Sequence, residues 1–142
     1  MTINQIIKNF QENNPKADAT MIELAYDFAV KAHADQKRKS GEPYIQHCLH
    51  TAFVLVQIKA DMATIIAGLL HDIPEDTEYT LADIGKNFGK EVAVLVEGIT
   101  KLSKIKYRGI ERYRESLRKM FLAMAQDLRV ILIKFADRLH NL

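Results

Sequence analysis

Apolar residues recur along this chain at helical spacing, and no stretch sustains the strict alternation of a half-buried strand. Ile3, Ile6, Ile7 and Phe10 form a short apolar stripe, which the breaker Asn13-Asn14-Pro15 ends. A second helix is expected from Thr20, where Thr20-x-x-Glu23 reads as a capping box, to about Asp35. Gln36 to Pro43 is a polar loop containing Gly41, and Pro43 suits the start of a helix whose apolar residues run from Tyr44 to Ile58. Asp61 can cap the next helix, from Met62 to about His71, which is apolar nearly all round and therefore expected at the centre of the fold. Pro74 is expected to end or kink it.

Thr80-x-x-Asp83 opens a short helix that Gly89 closes, and Lys90 to about Lys104 makes another. Glu111 to Gln126 reads as amphipathic, and Asp127 caps a final helix in which Val130-Ile131-Leu132-Ile133 leaves little polar face. The pattern predicts an all-α domain of seven or eight helices without internal repeats. Strand could hide only in the valine-rich stretches, where a helix and a buried strand look alike.

Composition narrows the class. The chain has 142 residues, 48% of them hydrophobic and 27% charged, which fits one ordinary globular domain and excludes fibrous or disordered architectures. The longest uncharged run, Tyr44 to Ile58, falls short of the roughly 20 apolar residues of a bilayer span and contains histidines. The N-terminus lacks the basic and apolar regions of a signal peptide, and the single cysteine, Cys48, has no internal disulfide partner, so a cytoplasmic protein is expected. Net charge is only +2, yet it is segregated. Ile99 to Lys119 carries eight basic residues against two acidic ones, while Leu70 to Glu91 carries six acidic against two basic. Such a chain can hold a cation beside an anionic substrate, although solvated helix faces explain charge runs more often.

Three clusters carry candidate chemistry. In Leu70-His71-Asp72-Ile73-Pro74-Glu75-Asp76-Thr77, the adjacent His71 and Asp72 can converge on one metal only where the backbone leaves regular helix, because helical neighbours point about 100° apart. A helix terminus supplies that freedom, and Glu75 and Asp76 follow closely enough to orient an attacking water or take its proton. A carboxylate-rich helix end is otherwise commonly a solvated cap. In the last helix, Asp137 follows a run of residues that should be buried, so its charge needs a cation; a metal and an ion pair with lysine or arginine both satisfy that need. Asn141 lies one turn further along the same face. The third cluster, Lys37-Arg38-Lys39-Ser40-Gly41-Glu42-Pro43-Tyr44-Ile45-Gln46-His47, joins a basic loop suited to phosphate contacts to a histidine one turn inside a helix. It could equally be a solvated turn with a structural histidine. His33 and His50 have no such context. Together His47, His71, Asp72 and Asp137 offer two imidazoles and two carboxylates, a set suited to manganese, iron or zinc better than to calcium or magnesium.

These motifs carry a resemblance. The His…His-Asp…Asp order is similar to the HD phosphohydrolase superfamily. Arg38 to His47, His71-Asp72-x-x-Glu75-Asp76-Thr77, Gly98-Ile99-Thr100-Lys101-Leu102 and Ala136-Asp137-Arg138-Leu139-His140-Asn141 resemble, in order, the hydrolase domain of the RelA/SpoT homologues. The resemblance implies an HD-domain helical bundle. It further implies manganese-dependent removal of the 3′-pyrophosphate from the guanine nucleotide alarmone (p)ppGpp, giving GDP or GTP and pyrophosphate. By position, it implies His47, His71, Asp72 and Asp137 as metal ligands, Glu75 and Asp76 as the acidic pair that activates water, and Arg38, Lys39, Ser40 and Asn141 as nucleotide contacts. Pro74 and Cys48 stand where many members have an apolar residue and a proline, respectively, which implies altered local packing. The chain stops at Leu142, just after the last motif, so a domain truncated at its C-terminal end, the N-terminal piece of a longer protein, is expected.

Three competing functions follow. One is an HD hydrolase acting on another nucleotide, and a second is a regulatory module that binds metal or nucleotide without turnover. A nucleic-acid module, prompted by the basic segment Glu111 to Lys119, is disfavoured by the low net charge and the lack of interleaved aromatic residues.

Overall fold

In a computed structural model of the chain, residues 1–34, 36–103, 114–115, 118 and 127–139 are described. They form α1 (Ile3–Asn13), α2 (Thr20–Ala32), α3 (Tyr44–Gln57), α4 (Met62–Leu70), the single turn α5 (Ile73–Asp76), α6 (Leu81–Phe88), α7 (Lys90–Ser103) and α8 (Leu128–Leu139). Among the described residues there is no strand, and Lys37 and Pro43 make one isolated antiparallel bridge. The expected all-α architecture is therefore what the chain adopts. The expected helix Glu111 to Gln126 falls almost entirely outside the described residues, and so does Asn141.

The most apolar helix lies at the centre. Asp61 caps α4 by accepting from the Thr64 amide at 2.9 Å, and every residue from Thr64 to Leu70 is buried. With no polar face to give to solvent, α4 packs against α2, α3, α7 and α8 at once. Gly68 permits the approach of α3, because a Cβ there would lie 2.5 Å from Leu55 Cδ1. Gly98 does the same for α7 and α8: its Cβ would meet Val130 Cγ2 at 2.7 Å. The glycine of the Gly98-Ile99-Thr100-Lys101-Leu102 motif thus sets how close the helix carrying Asp137 can come.

Two boundaries depart from the sequence reading. Thr20 does not cap α2 but is its first residue; Asp18 accepts from its amide at 2.9 Å and from its hydroxyl at 2.5 Å, leaving Ala19 at the cap without a side-chain bond. A carboxylate two residues upstream is the stronger acceptor: it takes the Thr20 amide that a capping box would have used and engages the Thr20 hydroxyl as a donor. Pro74 does not end the central helix either. That helix stops at Leu70, and Pro74 stands in the first turn of α5, where a missing N–H costs little. Cys48 packs into the core at 0% exposure, and burial pushes its thiol well above the usual range, with the charges of Asp72 and Asp137 adding to the shift.

The segment before α3 is more ordered than a solvated turn. The Arg38 amide donates to the Glu42 carbonyl at 2.9 Å, Gly41 donates back to Arg38 at 2.8 Å, and the Tyr44 amide donates to Gln36 at 3.0 Å. Gly41, at φ +87°, supplies the left-handed residue that closes this hairpin. The basic side chains are consequently carried on a fixed backbone at the mouth of α3.

Candidate metal centre

Four side chains from separate elements converge on the inner end of α4. His47 lies in the first turn of α3, His71 immediately follows α4, Asp72 precedes α5, and Asp137 is near the end of α8. Each offers one ligand atom, and the four atoms lie within 4.8 Å of one another. His47 Nε2 is 2.7 Å from Asp137 Oδ1, and His71 Nε2 is 3.2 Å from the same oxygen and 3.0 Å from Asp72 Oδ2. The adjacent His71 and Asp72 face one point because regular helix ends at Leu70, just before them, and resumes only at Ile73.

Hydrogen bonding fixes how each imidazole presents itself. A backbone carbonyl can only accept, so His71 Nδ1–H donates to Gly68 O at 2.6 Å, and Nε2 is the atom turned toward the carboxylates. A guanidinium can only donate, so Arg38 Nη1 donates to His47 Nδ1 at 3.2 Å; the ring proton of His47 sits on Nε2 and is donated to Asp137. Asp137 divides its two oxygens. Oδ1 faces the imidazoles, while Oδ2 accepts from Lys134 Nζ at 3.2 Å, one turn earlier on α8. Of the two ways of compensating Asp137 that the sequence left open, the lysine ion pair is present on Oδ2, while Oδ1 is turned to the two imidazoles.

The charges are strongly coupled. Burial alone would lower the His71 pKa, but the Asp72 charge and the hydrogen bonds to Asp137 and Asp72 outweigh it and raise the value to about 10. Burial would likewise raise Asp72, yet the imidazolium of His71 and the bonds from His71 and Tyr44 bring it down to about 2. Asp137 is also driven below the ordinary range: burial opposes the shift, and bonds to His47 and His71 with the nearby charges of His71 and Lys134 overcome it. A nearly buried site holding two ionised carboxylates and two ring nitrogens is one in which a divalent cation can replace the positive charge that protons now supply. The mixed nitrogen and oxygen donors and their spacing fit such an ion.

The remaining candidates divide. Asp76 is brought to the centre: the Tyr44 hydroxyl is 2.6 Å from Asp72 Oδ2 and 3.1 Å from Asp76 Oδ2. Glu75 instead lines a neighbouring groove of about 590 Å³ with Lys31, Gln36, Asp76 and Tyr79. Arg38, Lys39 and Ser40 line a cavity of about 780 Å³ with Lys37, Glu42, Tyr44 and Asp76. The anion-attracting loop therefore opens directly beside the acidic end of the metal group. Two residues that sequence reasoning gave no role belong here. Lys134 stands three residues before Asp137, and Tyr44 stands three before His47, so helical spacing alone placed each beside a candidate ligand.

These features define a class of protein, and comparison with known proteins agrees with it. The profile of the HD domain family matches residues 25–142, and this chain belongs to that family. Among its relatives, the bifunctional (p)ppGpp synthase/hydrolase SpoT of Escherichia coli is 47% identical over 142 residues, covering 99% of this chain and 20% of that protein. A guanosine-3′,5′-bis(diphosphate) 3′-pyrophosphohydrolase of Aquifex aeolicus is 52% identical over 123 residues, covering 87% of this chain and 17% of the relative. A GTP pyrophosphokinase of Streptomyces coelicolor is 48% identical over 140 residues, or 96% and 16% of the two chains. The chain thus spans about a fifth or less of the length of these relatives. A solved structure of a metazoan ortholog of SpoT, described as hydrolysing ppGpp and acting in starvation responses, superposes with a TM-score of 0.70 at 29% identity, over 88% of this chain and 69% of the other. The fold is that of the HD domain of SpoT-type relatives. No helix among the described residues is long and apolar enough to cross a membrane.

Proposed function

We propose that this chain catalyses metal-dependent hydrolysis of the 3′-pyrophosphate of (p)ppGpp, giving GDP or GTP and pyrophosphate. The observation that carries the reading is the convergence of His47, His71, Asp72 and Asp137 beside a cavity lined by Lys37, Arg38 and Lys39. The relatives named as (p)ppGpp hydrolases supply the substrate. In this reading the four residues hold a divalent ion, manganese being the proposed identity and another transition metal the alternative. Such an ion supplies Lewis acidity to a water and to a phosphoryl oxygen.

The chain's own residues do the rest. Asp76, with Glu75 beside it, takes the proton of the attacking water. The new bond forms at the phosphorus that carries the nucleoside 3′ oxygen, the bond to that oxygen breaks, and the 3′ oxygen leaves with a proton, so that one water is consumed. Lys39 and Ser40 donate to phosphate oxygens, and Arg38 and Asn141 contact the nucleotide. A cation-lined cavity next to buried carboxylates suits this task because the tetraphosphate brings more negative charge than the acidic residues alone could tolerate.

The test is release of pyrophosphate from ppGpp by the purified protein, with and without added manganese, with metal content quantified on the same sample. Manganese-dependent release supports the reading. Bound metal with neither release nor ppGpp turnover overturns it and favours a module that binds without hydrolysis, while release of phosphate from other nucleotides but not from ppGpp favours an HD hydrolase of different specificity.

A further inference from the structure

Asp72 and Asp76 lie four residues apart in and just before a helix of a single turn, so their carboxylates project on one side, one turn apart. Like charges at that spacing repel, and a one-turn helix has little internal rigidity with which to resist them. Asp76 is exposed and has open solvent to turn into. Something outside the turn must hold it beside Asp72. The group in position to do so is the Tyr44 hydroxyl, 2.6 Å from Asp72 Oδ2 and 3.1 Å from Asp76 Oδ2. Its single proton lies between the two negative oxygens, nearer Asp72 and shared with Asp76.

Tyr44 is itself held from two directions. Its ring stacks on His33, with centroids 4.6 Å apart and planes at 27°, and His33 is only 3% exposed. Its amide donates to the Gln36 carbonyl at 3.0 Å. His33 Nδ1–H donates to Gln36 Oε1 at 2.9 Å, and Gln36 Nε2 donates to the Asp76 carbonyl at 2.8 Å. Among the described residues the buried His33 Nε2 has no hydrogen-bond partner, while the ring serves the stack and the Gln36 bond. His33 thus reaches Asp76 by two routes, through the ring of Tyr44 to the carboxylate and through Gln36 to the main chain.

We propose that Tyr44 is a positioning residue: braced by His33, its hydroxyl ties Asp72 Oδ2 to Asp76 Oδ2 and so sets where the water-activating carboxylate stands relative to the metal ligands. The role assigned to Asp76 rests on the hydrolase reading; the role toward Asp72 does not. Outer partners of ligating carboxylates orient them for the ion, and removing one typically costs 10–100-fold in metal affinity or activity.

The experiment uses the Tyr44→Phe variant, which keeps the ring against His33 and removes only the hydroxyl. Manganese affinity is read from the electron paramagnetic resonance of free Mn2+, and turnover of ppGpp is read at saturating manganese. Affinity should fall about tenfold, and kcat about tenfold with KM within about twofold, as expected for a lost outer partner. In an Asp76→Asn background the kcat loss should vanish while the affinity loss persists. His33→Ala should weaken manganese binding in the same direction, and His33→Phe, which restores a flat ring, should recover most of it. Unchanged manganese affinity in Tyr44→Phe overturns the proposal, as does a kcat loss that remains in the Asp76→Asn background. If the parent protein releases no pyrophosphate at all, the hydrolase reading fails on its own, and the affinity arm still decides whether Tyr44 positions Asp72.

Discussion

Two clusters of carboxylates in this molecule solve the same electrostatic problem in opposite ways. Arg129 gathers Asp127, Asp61 and Glu91, joining the start of α8 to the starts of α4 and α7. Its guanidinium is raised further above its ordinary pKa, chiefly by the hydrogen bond to Asp127 and next by that to Glu91, and it remains a permanent cation. The cluster around Asp137 and Asp72 has imidazoles in the corresponding place. A guanidinium has five donors and no lone pair to give, so the Arg129 cluster is closed to any other cation. An imidazole can surrender its proton and present a nitrogen lone pair in its stead. Geometry alone makes both clusters candidates for ion binding; the chemistry of the positive partner leaves only the imidazole cluster as a candidate metal site.

The largest expected effect tests that distinction directly. Asp137→Ala removes the oxygen on which both histidines converge and should take manganese stoichiometry from one per chain to near zero, read by metal analysis after desalting. Retained stoichiometry breaks the assignment. Next comes Asp76→Asn, which keeps the size of the side chain and removes the carboxylate proposed as the base. It should leave manganese bound and lower kcat by about 10²–10⁴-fold, the range for a lost general base. Glu75→Gln should cost less, because Glu75 lines the adjoining groove while Asp76 is tied through Tyr44 to Asp72. The reverse order, read from kcat values of the two variants, would reassign the base.

What the sequence made legible follows from the range of the interaction concerned. The helical pattern and the central position of α4 depend on local periodicity, and they are visible in residues 62–70 as a run with no polar face. That His71 and Asp72 sit at a helix end could also be read locally, although Pro74 suggested the wrong mechanism: the break comes before the proline. The meeting of His47 with Asp137 spans 90 positions, and only the order of motifs hinted at it. The tie between Tyr44 and His33 stayed hidden because a ring stack between the end of one helix and the start of the next has no sequence period. The Thr20 box misled because the pattern rewards a hydroxyl at the cap and ignores a carboxylate two residues upstream.

Arg38 places a permanent cation against His47, one of the two imidazoles of the buried cluster. For His47 to offer Nε2 to a metal, its proton must move to Nδ1, where Arg38 also points a donor. Metal loading through His47 Nε2 would therefore require the guanidinium to turn away, toward the cavity it lines. Arg38→Ala should tighten manganese binding severalfold while weakening ppGpp binding, both measured by titration; weaker manganese binding would show that Arg38 supports the ligand and does not compete for it.

The smallest effect belongs to the closed cluster. Arg129→Ala removes a cation whose partners Asp61 and Glu91 are well exposed, at 56% and 61%, so water screens much of what is lost. Denaturant unfolding should register a loss of about 1 kcal/mol, within the range for exposed pairs and their small networks. Manganese stoichiometry and affinity should not change, since the cluster touches none of the four ligands. A drop in manganese affinity in this variant would mean that α8 had shifted along Gly98 and carried Asp137 with it, because Asp127 and Asp137 ride on the same helix end to end. The two clusters would then be one mechanical unit, the exposed one setting the depth at which the buried one holds its ion.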